Sequence, residues 1–204
     1  NELLATATGE FIVPLSSDDR LTSGGIQSRL DVFGTSPGLE VVFGDCDVID
    51  ESSEPVNESG LFGLYRGHRA RMQDRLTEEL ITNFSIPGPV VMFRRQAFLA
   101  AGGYDERLLV EDWDFYLRFA ARRTVHFLNR TVASYRIHAD NSNTRPRYQE
   151  TSLRDIVRVG RRRRGEFDGW ARFLLDLQVF AAQIELRGIG HGWAPVTRTL
   201  ARGM

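Results

Sequence analysis

Four short stretches of this chain carry residues whose types and spacing could do chemistry. "PLSSDDR" sets Asp18 and Asp19 side by side behind the apolar run "FIVPL", and "LLVEDWD" sets Glu111 and Asp112 together ahead of a helical pattern. His138 follows the strand-like "ASYRI", and "GGYDE" joins the pair Gly102 and Gly103 to Tyr104 and Asp105. Paired carboxylates at such positions can ligate a hard cation through oxygen, or take a proton from a hydroxyl. Each also has a plainer reading. An Asp pair ahead of a helix accepts the free amides of a turn or cap, and acids in a first helical turn complement the dipole. A lone histidine at a strand end is ordinarily a polar surface residue, and Tyr104 and Trp113 read first as core or rim aromatics.

The elements that must position these residues alternate between strand and helix patterns. "EFIVPL" reads as a short buried strand, and "SGGIQSRLDVF" places Ile26, Leu30 and Phe33 at helical spacing. "GLEVVFGDCDVID" predicts a strand over 41–43 ended by Gly44, and the polar, glycine-rich stretch 50–67 reads as a long loop or a weak hairpin. "RMQDRLTEELITNF" is predicted as one helix, "GPVVMFRR" as a strand, and "RQAFLAAGG" as a short helix stopped by its glycine pair. "VEDWDFYLRFAARR" puts Trp113, Tyr116, Leu117 and Ala120 on one helical face; "VHFL" and "TVASYRIH" are the final strands, and "ADNSNTRPR" a polar connector to a helical tail. This order predicts a mixed α/β sheet, the class in which ligands bind at the carboxyl ends of strands, where the chemically suggestive stretches fall.

Composition narrows the function classes. The 204 residues, 42% hydrophobic and 26% charged, are enough for a real core, and a formal net charge of -1 gives no global pull toward nucleic acid or anionic lipid. The densest basic cluster, "RRRRG" at 161–165, reads as a solvated face; it lacks the interleaved aromatics of a nucleic-acid binder, so no nucleic-acid partner is expected. One cysteine, Cys46, leaves no internal disulfide and no thiolate metal cluster. With no apolar run long enough to span a membrane and no signal-peptide layout, a cytoplasmic setting is expected, at the inner face of the membrane if the tail meets lipid. That tail places Trp170, Phe173, Leu174, Leu177, Phe180 and Ala181 in a helical stripe. The stripe suits packing on the preceding domain, a second subunit, or a membrane surface.

Taken in order, "NELLATATGEFIVPLSSDDRLTSGGIQSRLDVF", "LEVVFGDCDVID", "VVMFRRQAFLAAGGYDERLLVEDWDFYLRFA" and "VASYRIHADNSNT" resemble the family-two glycosyltransferases over roughly residues 1–145. The resemblance implies an inverting enzyme with a partial glycosyltransferase A fold, a Rossmann-like mixed sheet. Residues 1–147 would form the C-terminal two-thirds of the catalytic domain and residues 148–204 a helical extension. The family's strands that hold the nucleotide base and ribose are expected upstream of Asn1, which is not a Met and reads as a start inside a longer product.

Carried over residue by residue, the resemblance implies Asp18, Asp19 and His138 for a divalent metal, Mg²⁺ or Mn²⁺, and the donor diphosphate. It implies Asp112 as catalytic base with Glu111 as its neighbour, and Gly102, Gly103, Tyr104, Asp105 and Trp113 on the acceptor side. The partners would be a nucleotide-sugar donor and a glycan, lipid-linked or other hydroxyl acceptor. One departure stands out: where the commonest metal motif reads Leu-Asp-x-Asp-Asp, this chain has Ser16 in the first acidic position. A non-catalytic or truncated glycosyltransferase-like binding module is the alternative expectation.

Overall fold

The computed structural model describes residues 1–83, 86–138 and 146–189. Its elements run α1 (Glu2–Thr6), β1 (Phe11–Ile12), β2 (Arg20–Leu21), α2 (Gly25–Thr35), β3 (Val41–Ile49), β4 (Pro55–Asn57), α3 (Arg69–Asp74), α4 (Leu76–Thr82), β5 (Val91–Arg94), α5 (Arg95–Ala100), α6 (Glu111–Arg122), β6 (Val125–Arg136), α7 (Pro146–Arg163) and α8 (Gly169–Ile189). The strands make one mixed sheet in the order β1-β5-β3-β6-β2, with β4 also pairing β3. Only β3 and β6 are parallel; every other pairing is antiparallel.

Alternation along β3 builds the layers, because successive side chains leave a strand on opposite faces. Val41 and Phe43 face a core with Phe115, Tyr116 and Phe119 of α6, whereas Val42 faces Phe33 of α2 and Met92. The first core is aromatic: Phe43 meets Tyr116 edge-on with ring centres 5.0 Å apart, and Phe93 meets Phe115 at 5.4 Å. The α6 residues expected on one buried face, Trp113, Tyr116, Leu117 and Ala120, are all buried.

Several boundaries differ from the sequence reading, each for a local reason. Gly44 does not end β3, which runs on to Ile49. It marks a close approach instead, since a Cβ there would lie 2.5 Å from Cγ2 of Val132 on β6. The pairing shifts register beside it, and β6 takes up the irregularity as a single strand where two were expected. The predicted helix after residue 69 is two helices meeting at Arg75, because its halves serve different surfaces. Arg69 reaches Asn129 of β6, while Thr77 and the Leu80 carbonyl bond to Ala120 and Trp113 of α6. The 50–67 stretch is the weak hairpin: β4 folds back on β3 and is followed by a π-type turn, Gly60–Leu64. Of "ADNSNTRPR", residues 139–145 lie outside the described residues, as do 190–204 of the predicted extension.

The two last helices close over the first domain. Leu153, Ile156 and Val159 of α7 and Leu174, Leu175 and Ala182 of α8 share a core with Ile81, Trp113 and Leu117. The stripe expected on α8 therefore divides. Leu174 turns inward, but Trp170, Phe173 and Phe180 face outward.

Candidate active site

Two acid clusters carry the chemistry. The first is built where β3 and β6 end. A tight turn, closed by the Asp19 amide donating to the Ser16 carbonyl, presents Asp18 and Asp19 between β1 and β2. Arg136, the last residue of β6, holds that turn. Its amide donates to Oδ1 of Asp19 at 2.9 Å, and its guanidinium donates to the carbonyl of Asp18 at 2.9 Å and to those of Asp50 and Glu51. Nε2 of His138, two residues further on, lies 3.2 Å from Oδ2 of Asp18.

Asp19 is only 7% exposed, and its second oxygen, Oδ2, is buried with no hydrogen-bond partner among the described residues. Burial raises its pKa above the ordinary value, against the Arg136 amide that lowers it, and the Asp18 charge adds to the rise. On β3, Asp47 likewise has a buried oxygen, Oδ1, without a partner. Its neighbourhood is acidic: burial pushes the Cys46 thiol up, and the charges of Asp45, Asp47 and Asp19 add to it.

An orphaned carboxylate oxygen of this kind is what a hard dication would satisfy, so Asp19, with Asp18 beside it in the turn, fits the group that the resemblance implies. They fit it as part of a donor set. No three His, Cys, Asp or Glu side chains among the described residues are gathered closely enough to hold a metal alone. His138 is placed as Asp18's hydrogen-bond partner.

The second cluster sits at the first turn of α6. The helix starts after Val110 with no side-chain cap, and Asp112 lies one position inside, its Oδ1 accepting the Trp113 amide at 2.6 Å. Asp112 is partly buried and makes no ion pair with Lys, Arg or His among the described residues. Burial, then the Glu111 charge, lifts its pKa to about 7. Glu111 is raised too, by burial and by the charge of Asp155 on α7. Burial raises the pKa of both Tyr104 and Tyr116, and the Asp112 charge adds to each rise.

The loop before α6 takes its shape from Gly102 and Gly103, at φ of 78° and 71°, a region where a Cβ is strained. Tyr104 then packs on Phe98 and Phe115, and an open pocket forms against Gly102, Tyr104, Asp105 and Arg107. Asp105 is held by Arg107 and by Arg162 of α7. Trp113 does not join this surface. It is 0% exposed and its indole N–H donates to the Leu80 carbonyl at 2.8 Å, so the expected acceptor contact gives way to a core role.

The run "RRRRG" is only in part the solvated face expected of it: Arg161 is exposed, but Arg162 and Arg163 reach into α6. Asp114 of α6, fully buried, accepts from Arg118, Arg162 and Arg163, and Arg164 grips Asp176. Burial pushes the Asp114 carboxyl up, but hydrogen bonds from Arg163, Arg118 and Arg162 outweigh it and hold the pKa below the usual range. These contacts, and Asp155 accepting the Leu109 amide at 2.7 Å, fasten α7 to the turn that carries Glu111 and Asp112.

Asp18 and Asp19 lie in the turn between β1 and β2, and Glu111 and Asp112 in the first turn of α6. Sequence reasoning missed Asp47, Arg136, Asp114 and Asp155. For Asp47 the signal was present, an acid two places after Asp45 in an otherwise buried strand. Arg136 carried no such signal, since its partners, the Asp18–Asp19 turn and the loop after β3, lie far away in sequence.

A family model described as glycosyltransferase like family 2 matches residues 4–188, from α1 through α8. The chain belongs to that family. The match continues past residue 145, where the quoted runs stop, so the two helices that fasten the α6 turn are within the glycosyltransferase match. No curated protein matches the chain. The mixed sheet with helices on both faces agrees with a glycosyltransferase A-like fold.

Proposed function

We propose that the protein is an inverting, metal-assisted glycosyltransferase that moves a sugar from a nucleotide donor to a hydroxyl acceptor. The observation that carries this reading is Asp112: a partly buried carboxylate with no cationic partner among the described residues, next to Glu111, in a turn braced from α6, α7 and the Gly102–Gly103 loop. A carboxylate paired to an arginine would be a poor base. One whose proton affinity is raised toward neutrality is matched to taking a proton from an attacking hydroxyl.

In the proposed step the acceptor oxygen attacks the anomeric carbon while its proton passes to Asp112. The bond from that carbon to the donor phosphate oxygen breaks, and the diphosphate leaves with the electron pair. A single displacement inverts the anomeric centre. A divalent cation, Mg²⁺ or Mn²⁺, would be held by Asp18 and Asp19 together with donor phosphate oxygens, and would neutralise the charge of the leaving diphosphate. His138 holds the Asp18 carboxylate, and Arg136 holds the turn beneath it.

A non-catalytic binding module is favoured by one observation: Ser16 occupies an acidic position of the commonest motif. Nucleoside diphosphate release from a panel of nucleotide sugars, with Mn²⁺ and a mixture of hydroxyl acceptors, separates the two. Release that Asp112→Asn abolishes is expected. Donor binding without release in the unaltered protein favours the module.

A further inference from the structure

The outer face of α8 has no part in the fold or in the proposed reaction. Trp170, Phe173, Phe180 and Ile184 are 50%, 49%, 57% and 44% exposed, and Leu177 lies on the same helical face between them. The stripe runs about 21 Å along the helix. It is not the packing face, since Leu174, Leu175 and Ala182 are already buried on the other side. At its N-terminal end Trp170 and Phe173 stack with ring centres 5.0 Å apart.

Arginines border the stripe. Asp176, between Phe173 and Phe180 in sequence, accepts both bonds of the Arg164 guanidinium at 2.7 and 2.9 Å, which brings the end of α7 alongside. One turn earlier, Arg161 is exposed and meets no carboxylate among the described residues. Arg154 and Arg158 continue that face of α7, with side chains 66% and 62% exposed, each paired with a carboxylate of the same helix, Glu150 and Asp155. Residues 146–189 hold nine arginines against six carboxylates, although Arg162 and Arg163 are taken up by Asp105 and Asp114 outside that segment.

Two occupants suit an apolar stripe, a second copy or a lipid surface, and the area separates them. Half-exposed side chains of this size would bury about 100 Å² each, so a pair of stripes would cover about 1,000 Å² in total, short of the roughly 1,200–2,000 Å² of a stable interface. A two-fold contact would also set the arginine border against its own copy. A lipid surface needs neither a large area nor a matching shape. It accepts Trp, Phe, Leu and Ile at the acyl boundary and rewards flanking arginines with anionic headgroups.

We propose that the outer face of α8, with Arg161 and its neighbours on α7, lies flat on an anionic membrane surface. The inference does not depend on the proposed reaction. No helix among the described residues is long and apolar enough to cross a membrane, which agrees with a helix that lies on one.

Co-sedimentation with vesicles tests it. The protein is expected to pellet with vesicles of equal parts phosphatidylcholine and phosphatidylglycerol, more weakly with phosphatidylcholine alone, and less as salt rises. Phe173→Asp with Phe180→Asp, both on the outer face, should cut binding at least tenfold, and Arg161→Gln about fivefold. A thermal melt checks that the variants stay folded, and Phe173→Gln with Phe180→Gln replaces the aspartates if they do not. No binding to either vesicle, or binding that the double variants leave unchanged, overturns the proposal. So does a stable dimer in light scattering that the double variants dissociate, since the face then belongs to a second copy.

Discussion

The backbone amide of Arg136 donates to Oδ1 of Asp19 at 2.9 Å across 117 residues of sequence. The same arginine's guanidinium takes the carbonyls of Asp18, Asp50 and Glu51, so one side chain ties the Asp18–Asp19 turn to the loop after β3. Arg136→Ala keeps the amide and strips the carbonyls of their donor. We expect a loss of about 1–3 kcal/mol in urea unfolding and a rise in the Mn²⁺ concentration needed for half-maximal turnover. Arg136→Lys should recover part of the stability but not span all three carbonyls.

Asp112→Asn should lower turnover about a hundredfold or more, the scale of losing a general base, with donor binding retained because Asp18 and Asp19 are untouched. Single-turnover and donor-binding measurements on one preparation check both halves. If Asp112→Asn turns over normally and Glu111→Gln is dead, the base is Glu111.

The same carboxyl has a pH signature in stability. Its folded pKa, about 7, lies above the ordinary 3.8, so the folded state holds this proton more tightly than the unfolded chain. Its favourable contribution is complete below the unfolded value and is lost as pH rises through about 7. Asp112→Asn cannot ionise and should therefore melt higher than the unaltered protein at pH 8, with the gap closing toward pH 4. In the unaltered protein, turnover should fall as pH drops below about 7. A gap in melting temperature that does not change with pH contradicts the burial of this group.

Asp114→Asn leaves Arg118, Arg162 and Arg163 facing a neutral group in a buried site. Breaking such a cluster costs about 3–5 kcal/mol, readable in urea. Arg161→Gln, at the exposed end of the same run, should change stability by less than about 0.5 kcal/mol.

Gly44→Ala drives a methyl into Val132, at 2.5 Å from Cγ2 and 2.7 Å from Cγ1. The cost should be about 1–3 kcal/mol. Since the two nearest obstacles are methyls of one side chain, Val132→Ala should relieve part of it, leaving the Arg130 carbonyl oxygen at 3.1 Å, and a double-mutant cycle should show a coupling above the additivity error.

Local pattern carried much of this architecture. The α6 helix was readable because its apolar residues recur at helical spacing, and the strands of 41–43 and 91–94 because they are short apolar runs between turn residues. What local pattern cannot encode is the partner. Gly44 looks like a strand end until Val132, 88 residues later, is seen to fill the space where its side chain would be. Trp113 reads first as a core or rim aromatic while the resemblance implies an acceptor contact, and only the Leu80 carbonyl decides. In the candidate site, the acids were legible by type and order. The groups that set their behaviour, Arg136 for Asp19 and Arg162 and Arg163 for Asp114, were not, because each lies 48 or more residues from its partner. The stripe on α8 was legible as apolar, yet periodicity says nothing about which side of a helix meets the core.

The Asp114 cluster also imposes an order on biosynthesis. Domains fold as their chains emerge, N-terminal part first, but before Arg162 and Arg163 emerge the Asp114 charge has only Arg118 of its own helix to meet it. Until residue 163 has left the ribosome, the first turn of α6 lacks two of the three arginines that hold this carboxylate. Release of the last helices is thus the event that sets the Glu111–Asp112 turn, and a nascent chain halted before α7 should bind chaperones that one halted after α8 does not.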